Sequence, residues 1–167
     1  MRAFISTLAD RHGPQGWWPV QSERSFFVSR DDPRRQRGYH PGEFDFPRTA
    51  RGRWEIVTGA VLTQNTAWTN VELALGELRR ARVTSPRAVL RCPTERLAAL
   101  IRSAGYFNQK SRYLQAVAEW FVAHDAKLSR SEKDAQRVRE VRHELLAVRG
   151  VGPETADSIL LYAYGLP

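Results

Sequence analysis

The sequence predicts an all-α domain, and three observations carry that prediction. From residue 54 to 164, apolar side chains return at helical spacing in one segment after another. Residues that start or stop helices lie between those segments, among them Gly105 and Pro153. No stretch alternates apolar and polar residues with comparable regularity, as a half-buried strand would.

The elements follow in chain order. "WEIVTGAVL" is apolar nearly all round, which predicts a buried helix. "WTNVELALGELRRA" places Trp68, Val71, Leu75 and Leu78 on one face, with Asn65 or Thr66 available as N-cap. "TERLAALIRSAG" gathers Leu97, Leu100, Ile101 and Ala104 and ends at Gly105, the residue type favoured just past a helix C-terminus. "NQKSRYLQAVAEWFVAH" begins at Asn108 as cap and stripes Tyr113, Val117, Trp120 and Phe121; Tyr106 and Phe107, just before it, are expected in the core. "QRVREVRHELLAV" aligns Val138, Val141, Leu145 and Val148, and "PETADSILLYAY" opens with Pro153 at the favoured first helical position.

Ahead of this domain the composition changes. Residues 1–20 form an N-terminal segment containing Trp-Trp-Pro, and residues 21–53 are rich in Arg, Asp, Pro and Gly without a sustained period. That pattern suits an extended, arginine-rich insertion. Residues 54–167 make up the helical domain, whose last two helices are predicted to form a hairpin over 136–164.

Twenty-six Lys and Arg against eighteen Asp and Glu give a formal charge of +8 and a pI near 10.4. Such a balance points to a polyanionic partner, with double-stranded DNA the leading candidate. Arginine-favouring codons would produce the same charge, since lysine occurs only at Lys110, Lys127 and Lys133. The single cysteine, Cys92, excludes an internal disulfide and a four-cysteine iron–sulfur or zinc site within this chain. No apolar run approaches the roughly 20 residues that span a bilayer, and the first 20 residues are too polar for a secretory signal. A cytoplasmic location is expected.

The join "RGVG" carries the clearest chemistry. Gly150 and Gly152, flanking Val151, permit positive φ and allow another molecule to approach the backbone without Cβ interference. The next helix starts at once, so the unpaired N–H groups of its first turn, where Glu154 and Thr155 stand, lie beside the turn and can bind a phosphate oxygen. Such a contact positions a duplex without reading its sequence. An isolated Gly-x-Gly also serves a plain αα-corner. Here Leu145 and Leu146 precede the turn, Pro153 sets the helix start, Ala156 allows close helix approach, and the chain is basic.

"LLAVRGVGPETADSILLYAYG" resembles the helix-hairpin-helix of the endonuclease III superfamily of DNA glycosylases, and "WEIVTGAVLTQNTAWTNVE" resembles the helix and loop with which that family enters the lesion site. "GPQGWWP" and "GYFNQKSRYL" are similar to the branch that includes the 3-methyladenine glycosylase of endonuclease III type. The resemblance implies base excision on a damaged, alkylated base, preceded by extrusion of that base at a cost of a few kcal/mol.

The resemblance also implies roles for particular residues. Gln64 matches the wedge that fills the gap in the base stack; a loop amide capping the next helix is the alternative. Trp17 and Trp18 match a pair that lies near the extruded base, where an indole face attracts a cationic alkylated purine; covering the hydrophobic flank is the alternative. With Gln64 they are expected to form the base pocket. Lys110 is placed to reach backbone phosphate, with surface solvation the ordinary alternative.

Glu154 stands where bifunctional members carry the lysine that forms a Schiff base, so β-lyase chemistry of that kind is not implied. Monofunctional members use an aspartate that follows the "YGLP" segment, and that position falls beyond Pro167; Asp157 is not a substitute for it. No catalytic residue is therefore assigned within the chain. The expectation is a glycosylase portion that lacks its carboxylate; the alternatives are a noncatalytic helix-hairpin-helix DNA-binding protein or half of a split enzyme with a C-terminal partner chain. The resemblance also allows a monovalent cation at the hairpin.

Overall fold

The computed structural model describes residues 2–12, 16–22, 38–44, 47–128 and 134–166. Most of the expected insertion therefore lies outside the described residues. Among those described, every regular element is helical, and an isolated bridge pairs Gly16 with Pro41. No helix among them is long and apolar enough to cross a membrane.

A helix that the apolar pattern did not announce, α1, spans Arg2–His12. The central element is α2, Ala50–Thr63, whose Trp54 and the run from Ile56 to Leu62 are buried. It begins four residues before the expected start because Thr49 caps it, its hydroxyl accepting the Gly52 N–H at 3.0 Å. Burial on all sides makes α2 the axis of the core. Each fully buried Ile, Val or Leu there contributes about 1.5–3 kcal/mol.

The other helices pack around α2. Helix α3, Trp68–Arg80, buries Val71, Leu75 and Leu78 as its period predicts. Its N-cap is Ala67, without a side-chain bond, rather than Asn65 or Thr66. Asn65 turns into the left-handed region with φ 52°, and the Thr66 hydroxyl is taken by Asn70 Nδ2 at 3.2 Å. Short helices α4, Pro86–Arg91, and α5, Thr94–Leu100, lead through a 3-10 turn at Arg102–Ala104 to Gly105, at φ 66°.

Helix α6, Phe107–Leu128, is the longest and packs on α2, α4 and α5. Asn108 does not cap it. The helix starts one residue earlier, after Tyr106 at φ 46°, whose carbonyl accepts the Gln109 and Lys110 N–H groups. That turn carries Tyr106 into solvent, 68% exposed, instead of into the core, while Phe107 is half-buried beneath the Arg102 guanidinium. Helix α7, Ala135–Leu146, is capped by Asp134 Oδ1, and α8, Pro153–Ser158, runs on into a π-helical stretch at Ile159–Ala163. There the Leu166 N–H bonds back to the Leu160 carbonyl across Gly165, at φ 63°.

One buried ion pair ties the start of α2 to the end of α6 and to the C-terminal stretch. Arg53 donates to both oxygens of Asp125, at 2.6 and 2.9 Å, and the Tyr164 hydroxyl donates to the same carboxylate at 3.1 Å. Burial, and then the Asp125 charge, push the Tyr164 hydroxyl well above its ordinary range, so it stays a donor. Removing one partner leaves the others charged or unpaired in the interior. Asp125→Ala is expected to cost about 3–5 kcal/mol of stability, read from the urea midpoint, and Tyr164→Phe only about 1–3 kcal/mol.

Candidate nucleic-acid interface

The hairpin is built by α7, a turn over residues 147–152, and α8. Its two glycines do different jobs. Gly150 sits at φ 88°, and a Cβ there would come within 2.1 Å of the Tyr113 ring, so the turn needs glycine for its conformation and for its packing on α6. Gly152, expected to use the same freedom, has φ −87° and serves as the N-cap residue of α8. A Cβ on Gly152 would meet nothing within 4 Å, so its bareness faces open space.

The backbone N–H groups of Glu154 and Thr155 lie in the first turn of α8, where no intrahelical acceptor exists. They border an open groove of about 550 Å³ lined by Gln64, Asn65, Tyr113 and residues 150–155. Arg149, exposed in the turn itself, and Arg112, exposed on α6, supply cations that motif reading missed: both stand inside quoted segments, but neither was given a role there. Across the hairpin Arg142 grips Asp157 through two hydrogen bonds of 2.6 and 3.1 Å. That guanidinium holds the Asp157 carboxyl below the usual range. Asp157 is thus a brace between α7 and α8.

The structure brings Gln64 to the hairpin. Its Nε2 donates to the Gly150 carbonyl and to Thr155 Oγ1, both at 2.9 Å, so the α2–α3 loop and the hairpin form one surface. Trp17 and Trp18 lie elsewhere. Trp17 donates to the Tyr162 carbonyl at 2.8 Å and packs edge-on to its ring, while Trp18 packs against Tyr162, Trp68 and the bare backbone at Gly59. Among the described residues no hydrogen bond or ring contact joins either tryptophan to Gln64. The indole N–H groups of Trp18 and Trp68 are buried with no acceptor.

Lys110 is not available to a phosphate. It is 2% exposed, and its ammonium donates to the carbonyls of Leu62, Gln64 and Ala104 at 2.8, 2.7 and 2.7 Å. Burial pushes it below the ordinary lysine range. Its neighbour Tyr106 takes the exposed place instead, beside a second cavity shared with Gln64, Asn65, Gln109 and Tyr113.

The hairpin turn, the Gln64 loop and the end of the buried helix α2 fall within the part of the chain that the comparisons with known proteins match. The model of the HhH-GPD superfamily of base excision DNA repair proteins matches residues 58–156. The chain belongs to that superfamily. HhH-GPD relatives include a protein of Methanocaldococcus jannaschii named as a DNA repair glycosylase, 34% identical over 156 residues, which cover 93% of this chain and 57% of that protein. Endonuclease III of Sulfolobus acidocaldarius is 30% identical over 115 residues, 68% of this chain and 49% of its own length. The chain thus spans about half the length of these HhH-GPD relatives.

Solved HhH-GPD structures agree on the fold. The Helicobacter pylori 3-methyladenine DNA glycosylase bound to 1,N6-ethenoadenine superposes with a TM-score of 0.57 at 26% identity, covering 70% of this chain and 57% of that one. A non-covalent endonuclease III–DNA complex gives 0.55 at 24% identity, covering 69% and 49%. The resemblance read from the motifs, to the superfamily and to its 3-methyladenine branch, is the one the comparisons return.

The two glycines make a clean contrast. Gly150→Ala should lower stability by more than about 2 kcal/mol, since left-handed strain adds to the Tyr113 clash, whereas Gly152→Ala should cost less than about 1 kcal/mol. Urea unfolding of both variants checks this.

Proposed function

We propose that this chain supplies the DNA grip and the base-reading surface of a monofunctional base-excision glycosylase acting on a damaged, alkylated base in duplex DNA. The observation that carries the reading is the bond pair from Gln64 to Gly150 and Thr155, which fuses the wedge loop to the phosphate-binding turn. Open space at Gly152 and the free first-turn N–H groups of α8 support the grip. Gln64 and exposed Tyr106, on neighbouring loops, support a role in filling a disrupted base stack, where an aromatic contact is worth about 1–3 kcal/mol.

The substrate class rests on the aromatic cluster. Trp18 and Trp68 meet at Gly59, Tyr162 packs on Trp18 and Trp17, and the indole N–H donors of Trp18 and Trp68 have no protein acceptor. Electron-rich faces favour a cationic ring, which alkylation gives a purine. Glu154 supports the monofunctional assignment, because a carboxylate forms no imine with the abasic sugar. A duplex containing an abasic aldehyde should therefore give no borohydride-trapped adduct at residue 154.

Grip and reading separate experimentally. Fluorescence anisotropy on intact duplex should show affinity falling steeply with salt, and Arg149→Ala should reduce the log–log slope by about 1. Gly152→Val should weaken intact and damaged duplex alike. Trp17→Ala should lower preference for an alkylated or abasic duplex over an intact one by more than it lowers binding to the intact one. Wild-type affinity in folded Gly152→Val would refute the grip, and equal losses in Trp17→Ala would make that tryptophan structural only.

A further inference from the structure

The geometry points to Lys110 as a positioning residue: its buried ammonium clamps the loop carrying Gln64 to the loop carrying Tyr106, and so fixes the spacing of the two side chains that meet a disrupted base stack. Leu62 and Gln64 carbonyls belong to the end of α2, where helix carbonyls lack intrahelical donors. The Ala104 carbonyl belongs to the 3-10 turn that ends at Gly105 and Tyr106. An ammonium has three N–H donors, and all three are spent on these acceptors.

Among the described residues, Lys110 is a side chain whose hydrogen bonds reach both loops. Gln64 donates only to the hairpin, and Ser103 Oγ donates to the Asn70 carbonyl on α3. Without the ammonium the three carbonyls would be buried and unpaired, and the loops would relax apart. Both loops also hold a non-glycine residue in the left-handed region, Asn65 at φ 52° and Tyr106 at φ 46°. Conformations of that kind persist where surrounding contacts fix them, and the clamp lies within two residues of each.

The proposal rests on the base-reading role assigned above, so its test separates the two. The full chain and Lys110→Met are titrated by anisotropy against an intact duplex and against the same duplex carrying one tetrahydrofuran abasic analogue. Lys110→Met should lose the abasic preference by at least about fivefold, the scale of one lost stacking contact, while keeping the intact-duplex affinity and its salt slope, because the ammonium bonds to no residue of the hairpin. Equal weakening on both duplexes, or an unchanged preference, overturns the clamp. A wild-type chain without any abasic preference overturns the base-reading role instead.

Should Lys110→Met fail to fold, amide hydrogen exchange on the wild-type chain decides the matter. The Thr66 and Gly105 amides, one in each loop and each hydrogen-bonded, should open together with one shared urea dependence. Independent opening of the two overturns the proposal.

Discussion

A single ammonium group closes the end of the helix on which the molecule is built. Helix α2 is buried on nearly every side, so the carbonyls at its C-terminus cannot turn to water. Lys110 answers them from α6, forty-six to forty-eight residues away in sequence. The desolvation that this placement costs shows in the lowered affinity of Lys110 for its proton. Three carbonyl dipoles offset that cost, and the loops they belong to inherit a fixed geometry. The Gln64 side chain turns the other way, to Gly150 and Thr155 of the hairpin.

Much of the fold was legible because helical periodicity records which face of each segment is dry. The stripes of α3, α6 and α7 appear where Val71, Leu75, Val117, Phe121, Val141 and Leu145 place them. Caps were less legible. Asn65 and Asn108 are good capping residues by type, yet tight turns before α3 and α6 moved both away from the cap position. The α2 cap at Thr49 fell inside a stretch whose composition reads as insertion, which hid it.

The site divided along similar lines. Glycines and proline announce a turn through their own backbone limits, so the hairpin was visible in one short segment. Lys110 was misread because a lysine is exposed in most sequence contexts, and the acceptors that bury it come from two separate places in the chain. Tyr106 was misread for the converse reason. An aromatic residue next to Gly105 looks like core until the left-handed backbone turns it outward.

The Arg142–Asp157 pair has an electrical consequence for the hairpin as a whole. Charge between those two side chains is cancelled locally, while Arg149 stands exposed in the turn and the first turn of α8 adds the positive end of its dipole. The hairpin therefore presents a field with a direction: neutral where Arg142 meets Asp157, positive at Arg149, and negative at the exposed carboxylate of Glu154. Any anion within a Debye length of about 8–10 Å therefore feels a torque as well as a force, toward Arg149 and away from Glu154.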